Sequence, residues 1–262
     1  MKIYHYTSLD ALLNILTNDK IVFRATRYDA MNDPLDYIFA RDILIPKLRK
    51  SLEKFNISED DKEYIEQSPY IVSFSEKEDD FNMWRMYKSE VSLEFEYEDI
   101  QNCISNNMRI GKCEYVNENN IDYYFLNAFN KIEFSNKILC DAQDVIVLLK
   151  REEFQPEKEI RLYNCSHNLF KAQYIGNNDC EFNECETSDL NVKARVRDND
   201  LVLYQEFILP KKALTGITIF YHDVEHFSSL KEHIKIILNE RDYSNKVIDN
   251  IKQTKTTKFK HL

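Results

Sequence analysis

Glutamate and arginine alternate in the segment EKEIR at positions 157–161. Side chains at positions i and i+2 of a strand share a face, so a strand here presents Glu157, Glu159 and Arg161 together and buries Ile160. Two carboxylates and a guanidinium on one face form either a solvated ion-pair ladder or a site that stabilises developing positive charge. The local pattern alone favours the ion-pair ladder.

Polar side chains mark two other segments that have the pattern of strands. His5 is followed by Tyr6 and Thr7 just before a helix cap, and Ser73 and Ser75 share one face of an otherwise apolar segment. Cleavage of the bond between ribose and nicotinamide passes through an oxocarbenium-like state, which a carboxylate stabilises by its charge and by bonding a ribose hydroxyl. A histidine and a hydroxyl group can hold the ribose and the amide. The three segments together therefore suit a nicotinamide nucleotide, although a histidine in this position alone is more often a structural donor.

Two sets of residues resemble metal ligands. The segment HDVEH at 222–226 matches H-x-x-E-H, the pattern of inverted zinc proteases, which needs both histidines on one helical face. Asp223 suits the N-cap of the following helix, and this leaves His222 outside the helix. The six cysteines form no C-x-x-C pair, and the cysteines and histidine between 165 and 185 fit no common zinc spacing. We therefore expect no metal site and reduced cysteines.

Glycine is rare in the chain, with only Gly111, Gly176 and Gly216. Dinucleotide fingerprints and P-loops need closely spaced glycines so that the backbone can approach phosphates, and both motifs are excluded here. A G-x-S-x-G elbow and a recognisable cysteine nucleophile motif are also missing from the sequence. Any nucleotide must therefore be held by side chains and ordinary strand ends.

The composition is that of a globular protein, with 43% hydrophobic and 31% charged residues among 262. A net charge of −10 argues against tight non-specific binding of nucleic acid. No apolar run approaches the ~20 residues that a membrane helix needs, and the amino terminus has no signal-peptide pattern, so we expect a cytoplasmic protein without membrane contact. We expect one domain over 1–262, with a frayed basic tail over 253–262.

Alternation and helical spacing predict a mixture of strands and helices, and the turn Asn32-Asp33-Pro34 precedes one helix. The predicted fold class is α+β, with a central mixed or antiparallel β core flanked by helices. Predicted strands cover about 3–7, 21–23, 70–75, 91–96, 109–116, 157–163, 169–175, 192–197, 201–209 and 214–221, with Arg24 in a loop. Predicted helices follow residues 8 and 33 and cover about 81–87, 119–150 and 223–239.

Several motifs together resemble a widespread bacterial family known as domain of unknown function 2971. As a set they are fairly specific, and the similarity runs from the first strand to the strand near Ile217. The motifs are Tyr4-x-Tyr6-x-Ser8, Asn32-Asp33-Pro34, Ser73-Phe74-Ser75, Met83-Trp84 with Tyr87, and Glu157-x-Glu159-x-Arg161.

The first strand, the serine motif at 73–75 and the glutamate motif at 157–159 also resemble segments of ADP-ribosyltransferases. Ser73-x-Ser75 is similar to their serine-threonine-serine strand, and Glu157-x-Glu159 to their glutamate motif. The resemblance implies a split-sandwich fold and NAD as substrate. It implies that Glu159 is the transition-state carboxylate, Glu157 orients the acceptor, His5 contacts a ribose and Ser75 supports the site. The histidine form of that family usually pairs with a tyrosine instead of a serine strand, so this chain mixes two classes.

The resemblance leaves several roles open. The aromatic side chain that stacks on nicotinamide is Tyr28, Trp84 or Tyr87, with core packing as the alternative for Trp84. Asn32 and Asp33 either shape the pocket or only turn the chain. Arg161 either binds phosphate or neutralises a glutamate. The expected NAD-contacting residues are Tyr6, Thr7, Arg24, Tyr28, Asn32, Asp33, Ser73, Ser75, Trp84, Tyr87 and Arg161.

The leading prediction is NAD-dependent ADP-ribosyl transfer or NAD cleavage, with Glu159 as the essential carboxylate. The acceptor, whether protein or nucleic acid, and any partner or trigger protein stay open, and the family resemblance implies a toxin or phage-defence effector. The alternative is a non-catalytic module that senses a nucleotide or binds a protein through the same cleft. A third hypothesis makes the glutamates and Arg161 a purely structural ion-pair strand. The first hypothesis predicts that Glu159 faces the same cavity as His5 and Ser75.

Overall fold

A computed structural model gives the fold of the chain. It describes residues 1–31, 69–104, 108–117, 119–124, 144–164, 170–176, 179–184, 192–197, 199–221 and 223–256, together with a few single residues between these ranges. The predicted residues Asn32 and Asp33 and the predicted helix after them lie outside the described ranges, as does most of the predicted helical region 119–150.

Helices separate the strands in the first part of the chain, and most of the later described strands follow one another directly. The strands are β1 (Lys2–Thr7), β2 (Ile21–Arg27), β3 (Tyr70–Ser75), β4 (Val91–Glu96), β5 (Met108–Lys112), β6 (Glu114–Val116), β7 (Leu149–Arg151), β8 (Glu159–Asn164), β9 (Phe170–Gly176), β10 (Asp179–Glu184), β11 (Lys193–Arg197), β12 (Asp200–Leu209), β13 (Leu214–Ile219) and β14 (Ile251–Gln253). The helices are α1 (Leu9–Ile15), α2 (Phe81–Met86), α3 (Tyr97–Cys103), α4 (Val224–Glu240) and α5 (Asn245–Asp249). Short 3-10 helices cover Tyr28–Ala30, Glu152–Glu157 and Lys211–Ala213.

The first strand leads directly into a helix, as the sequence predicts. Ser8 is the N-cap of α1, and its hydroxyl accepts a hydrogen bond from the Ala11 amide at 3.2 Å. Leu12 and Ile15 are the buried residues on this helix. The α1 N-cap therefore fixes the end of β1, which carries His5.

Ten of the described strands form one mostly antiparallel sheet. Its main path runs β11-β12-β2-β3-β1-β4-β13-β14, and β8 pairs with both β3 and β5. The pairing of β13 with β14 is parallel. Helices flank this sheet, so the predicted α+β class with a central, mostly antiparallel sheet is confirmed.

The sheet divides at β3. One edge of β3 pairs with β8 along the whole strand, from Tyr70 to Ser75. The other edge pairs with β2 at Tyr70 and Ile71 and with β1 only at Ser75. The backbone of Ser73 therefore lies between two diverging strands, where a side chain can reach its carbonyl oxygen.

One face of the sheet forms the main hydrophobic core, to which β1, β2, β3, β4, β8, β12 and β13 contribute apolar side chains. Helix α4 adds Ile234 and Leu238 to this core, and α1 adds Leu12 and Ile15. A smaller cluster, Tyr4, Tyr6, Met83 and Trp84, packs where α2 meets β1. Side chains that alternate with core residues, such as Glu159 and Arg161 on β8, therefore lie on the opposite face. His5 lies on the core face, opposite Leu93 and against the rings of Phe23 and Phe74.

Several predicted boundaries change in the structure. Arg24 lies inside β2, so its predicted loop position is wrong, because the alternation continues to Arg27. Lys150 lies in β7 and not in a helix. The predicted frayed tail over 253–262 is wrong for residues 253–256, because Gln253 ends β14 and the Thr256 hydroxyl donates to the Asp79 carbonyl at 2.7 Å. Residues 257–262 lie outside the described ranges.

Candidate functional site

Glu157 and Glu159 do not lie on one strand. Glu157 ends the 3-10 helix that contains Pro156, and Lys158 follows with a φ of 46°, in the left-handed region. Glu159 is the first residue of β8. The predicted strand face carrying both carboxylates is therefore wrong, because the chain turns between them. Their side chains nevertheless converge on Lys150, whose Nζ is 2.7 Å from the Oε2 atom of each glutamate.

Hydrogen bonds occupy both oxygens of Glu159. The Ser73 hydroxyl donates to Oε1 at 2.5 Å, and Arg161 donates from Nε to Oε1 at 3.1 Å and from Nη2 to Oε2 at 3.2 Å. Antiparallel pairing places Arg161 opposite Ser73 in neighbouring strands. Lys150 donates to the remaining side of Oε2. Charge-assisted bonds of this kind hold a carboxylate in one orientation.

The cluster of Lys150, Glu157, Glu159 and Arg161, here called the carboxylate cluster, is buried. The two glutamates and the lysine are each 4% exposed and the arginine is 0% exposed. A solvated ion-pair ladder, which the local pattern favoured, is therefore wrong. Two buried carboxylates are balanced by two buried cations, as the cost of burying charge requires.

The two glutamates of the carboxylate cluster differ in acidity. Burial acts to raise the pKa of Glu159, but the charges of Arg161 and Lys150 outweigh it and hold this pKa well below the ordinary value. Burial raises the pKa of Glu157 above the ordinary value, since the attraction of Lys150 offsets burial only in part and Glu159 adds repulsion. Glu159 therefore stays ionised, and Glu157 accepts a proton more readily. Neighbouring acids with divided acidity are typical of sites that perform acid–base chemistry.

Two tyrosines complete the surroundings of the carboxylate cluster. The Tyr87 hydroxyl donates to Glu157 Oε2 at 3.3 Å, and burial together with the charges of Glu159 and Glu157 raises the pKa of this hydroxyl. The Tyr115 hydroxyl accepts a hydrogen bond from the Glu159 amide at 2.7 Å. Tyr87 is therefore a neutral hydrogen-bond donor beside the more basic of the two carboxylates.

His5 reaches the same site through Ser73. Its Nδ1 lies 2.9 Å from the Ser73 carbonyl oxygen. Because a carbonyl only accepts, Nδ1 carries the proton and Nε2 is an acceptor. Burial lowers the pKa of His5 to about 4, although the bond to Ser73 acts in the opposite direction. His5 is therefore neutral at pH 7. Ser73 links it to Glu159, through one hydrogen bond to each residue.

A cleft of about 730 Å³ opens where β1 and β2 diverge over β3. This volume is within the range of small-molecule and cofactor sites. Among the predicted site residues, those that line the cleft are His5, Tyr6, Thr7, Arg24, Ser73, Tyr87, Glu157 and Glu159. The structure thus brings Glu159 and His5 to one cavity, whereas Ser75, which the leading prediction also placed there, does not line it.

Four predicted site residues lie away from the cleft surface. Ser75 is fully buried, and its hydroxyl donates to the Glu157 carbonyl at 2.6 Å, so it holds the turn before β8. Arg161 is also fully buried and bonded to Glu159, which favours neutralisation of this glutamate over phosphate binding. Tyr28 is 1% exposed, with the Arg161 guanidinium 5.4 Å from its ring. Trp84 packs in the core, with its ring stacked on Phe220 at 5.0 Å.

Of the three aromatic candidates for stacking on nicotinamide, Tyr87 lines the cleft. Tyr28 and Trp84 are each 1% exposed, so neither has a ring face available. Tyr28 begins the 3-10 helix after β2 and lies beside the buried Arg161, and α2 places Trp84 against Tyr6.

Sequence reasoning missed Lys150, Thr26, Arg195 and Arg197 as residues of the cleft. Lys150 ends the apolar segment VIVLLK, which fits a buried helix as well as a strand. Arg195 and Arg197 alternate in an exposed strand, and this pattern is common on solvated faces. The alternation itself is the signal that both arginines share a face.

No group of three or more histidine, cysteine, aspartate or glutamate side chains is arranged among the described residues to hold a metal ion. Asp223 is the N-cap of α4, and its carboxylate accepts from the Glu225 amide at 2.9 Å. No described helix is long and apolar enough to cross a membrane.

Comparison with known proteins adds no relative to this description. The chain matches no family model, no curated protein and no solved structure at a significant level.

Proposed function

We propose that the chain is an NAD-dependent enzyme that transfers ADP-ribose or hydrolyses NAD in the cleft between β1 and β2. The observation that carries the proposal is the link from Glu159 through Ser73 to His5. Ser73 donates from its hydroxyl to Glu159 at 2.5 Å and accepts at its carbonyl from His5 at 2.9 Å. An ionised carboxylate and a neutral imidazole therefore line one cleft, with Ser73 between them and the imidazole on the core face of the sheet. The proposal requires one ribose to contact both groups.

In this proposal, the negative charge of Glu159 stabilises the transition state. When the bond between ribose C1′ and the nicotinamide nitrogen breaks, the electron pair leaves with nicotinamide and positive charge develops on the ribose. A fixed carboxylate in a buried site stabilises that charge more strongly than one in water. Lys150 and Arg161 keep Glu159 ionised, and a ribose hydroxyl replaces the Ser73 hydroxyl as donor to Oε1.

Glu157 is the proposed base for the second half of the reaction. The ribose carbon takes an electron pair from water or from a protein or nucleic-acid acceptor, and the acceptor loses a proton. The raised pKa of Glu157 makes its carboxylate a better proton acceptor near neutral pH than an exposed glutamate. Tyr87 donates a hydrogen bond to this carboxylate and has its ring in the cleft.

In this proposal, neutral His5 and the cleft arginines Arg24, Arg195 and Arg197 complete the binding site. The Nε2 atom of His5 is an acceptor, so it suits a ribose hydroxyl or a carboxamide N–H. The divergence of β1 and β2 along β3 supports the split-sandwich fold that the ADP-ribosyltransferase resemblance implies. A role as a toxin or phage-defence effector, with a partner or trigger protein, is proposed on the family resemblance alone.

A nicotinamide-release assay tests this function. Protein is incubated with labelled NAD and cell extract, which supplies acceptors and a trigger, and free nicotinamide and labelled product are measured. We expect the Glu159→Gln variant to be slower by about 100-fold or more, the effect of removing one strong transition-state contact. Glu153→Gln is the matched control, because Glu153 lies in the same 3-10 helix with a side chain that is 61% exposed.

A non-catalytic nucleotide-sensing or protein-binding module is the second candidate. The observation in its favour is the occupancy of Glu159, whose two oxygens are already bonded to Ser73, Lys150 and Arg161. A carboxylate used only to hold the fold needs no free oxygen. NAD binding without turnover, with Glu159→Ala changing affinity alone, selects this candidate over the enzyme.

A further inference from the structure

Three arginines line the same cleft as the carboxylate cluster. Arg24 lies on β2, and Arg195 and Arg197 lie on β11. The ring of Tyr204 lies between two of them, with the Arg24 and Arg195 guanidinium carbons 5.6 Å and 5.7 Å from its centroid. The three side chains, here called the arginine cluster, are therefore close neighbours on one side of the sheet.

Strand register places the arginine cluster and Glu159 on the same face. Thr26 of β2 is opposite Tyr204 of β12 and opposite Ile71 of β3. Directly opposite residues share a face, and alternation extends this face to Arg24 on β2. Along β3 the same face continues to Ser75, which is opposite Glu159.

The charge of the arginine cluster is not neutralised by the described residues. Arg24 is exposed and makes no hydrogen bond or ion pair with the described part of the chain. The Arg195 Nη2 atom donates to the Thr26 hydroxyl at 3.0 Å, and its buried Nε has no partner there. Arg197 donates to the Ala30 carbonyl.

The carboxylates of Glu206 and Asp200, which lie opposite two of the arginines, form no ion pair with the arginine cluster. Glu206, which is opposite Arg24, is bound to Lys193 at 2.8 Å. Asp200, opposite Arg197, is exposed and forms no ion pair with a described residue. Burial lowers the pKa of Arg195, and repulsion from Arg197 and Arg24 lowers it further. A bound anion would relieve this repulsion.

The separation of the two clusters fits one end of a dinucleotide. Strands β8, β3 and β2 are successive neighbours, and the β2–β3 register puts Arg24 level with Ser73, two residues along β3 from the partner of Glu159. The two backbones are therefore at least about 12 Å apart. In NAD, the ribose that carries nicotinamide is bonded directly to the diphosphate. A ribose beside Glu159 therefore brings the diphosphate toward the long side chains of the arginine cluster.

We propose that Arg24, Arg195 and Arg197, with the Thr26 hydroxyl, form a diphosphate-binding subsite. The planar guanidinium group presents paired N–H donors that match two phosphate oxygens, so arginine is well suited to this task. The identity of the ligand as a dinucleotide rests on the proposed function. Binding of a diphosphate group rests on the arginine cluster itself.

Binding measurements with separate parts of the ligand test this subsite. Calorimetry is done with inorganic pyrophosphate, ADP-ribose and adenosine on the wild type and on Arg24→Gln and Arg197→Gln. We expect pyrophosphate and ADP-ribose to bind at least 10-fold more weakly to both variants, and adenosine affinity to change less than 2-fold. Arg85→Gln is the matched control. Arg85 is exposed in α2, and its substitution removes the same charge. Thermal unfolding of each variant shows that it is folded.

The outcomes separate this subsite from the proposed function. If NAD is not cleaved but pyrophosphate binding is lost in Arg24→Gln and kept in Arg85→Gln, the enzyme proposal fails and the subsite stands. If NAD is cleaved and its KM is the same in the wild type and both cleft variants, the subsite is overturned and the enzyme proposal stands. Failure of pyrophosphate to bind the wild type, or an equal loss in Arg85→Gln, also overturns the subsite. So does arginine-dependent binding of a single-stranded oligonucleotide with unchanged ADP-ribose affinity.

Discussion

Two buried glutamates, Glu159 and Glu94, lie in one row across the sheet but have different surroundings. Glu159 on β8 is opposite Ser75, Ser75 is opposite Tyr4, and Tyr4 is opposite Glu94 on β4. Glu94 is 2% exposed and accepts hydrogen bonds from Lys2 at 2.7 Å and Lys252 at 3.2 Å. Each carboxylate thus has two cationic partners and very little exposure.

The partners of the two glutamates differ in burial. The side chains of Lys2 and Lys252 are 47% and 37% exposed, so the surface supplies the charge that balances Glu94. The cations of Glu159 are 4% and 0% exposed, and one of them is shared with Glu157. Glu159 lines the cleft, whereas Glu94 is not among its lining residues. A buried ion pair by itself therefore does not indicate a site; a cleft and a second carboxylate distinguish the functional candidate.

The largest difference is expected when one cation is removed from each region. Arg161→Met leaves Glu159 buried with an unbalanced charge and should cost about 3–5 kcal/mol of the free energy of unfolding. Lys2→Met removes an exposed partner while Lys252 and Thr215 still bind Glu94, and it should cost at most about 1 kcal/mol. Denaturant unfolding measures both. Equal losses would show that the two regions are energetically alike.

The next effect concerns the two environments of histidine. The folded-state pKa of His5 is about 4, below the unfolded value of about 6.5, so its neutral form is favoured by folding. The associated stability is fully present above pH 6.5 and is lost as pH falls toward 4, by roughly 3 kcal/mol. In His5→Gln, the free energy of unfolding should depend less steeply on pH between 6.5 and 4.

The exposed histidine in α4 is the control for this pH dependence. The side chain of His226 is 73% exposed and lies 2.7 Å from Asp223. His226→Gln removes an exposed imidazole in place of the buried one. Unfolding curves taken at several pH values decide the matter, and a slope that survives in His5→Gln would contradict the assignment of this titration to His5.

A smaller effect is expected from the neutral donors to each region. Tyr87→Phe removes the hydroxyl that bonds Glu157 at 3.3 Å, and Thr215→Val removes the hydroxyl that bonds Glu94 at 3.0 Å. Each should cost about 1 kcal/mol of unfolding free energy. Nicotinamide release should fall several-fold in Tyr87→Phe alone. Equal activity in the two variants would remove the functional distinction between the regions.

Alternation along single strands made much of the fold predictable. The pattern located β1, β3 and β4 and the side chains of His5 and Ser73, because strand period and capping are local properties. The turn between Glu157 and Glu159 was not predictable, because a non-glycine residue such as Lys158 with positive φ has no local signature.

Contacts between distant strands account for the other omissions. Ser73 and Ser75 share a face in the sequence pattern, and only the divergence of β1 and β2 exposes the first to the cleft and buries the second. Arg195 reaches the cleft because β11 pairs with β12 and β12 with β2. These pairings join segments that are far apart in the chain, so local periodicity carries no information about them.

The most direct test compares the rate of nicotinamide release from NAD in Glu159→Gln and Glu94→Gln. Both variants replace a buried carboxylate in the same row of the sheet by an amide of similar size. The proposed function predicts a loss of about 100-fold or more in Glu159→Gln and a rate within about 2-fold of the wild type in folded Glu94→Gln. Equal rates in the two folded variants would contradict a catalytic role for Glu159.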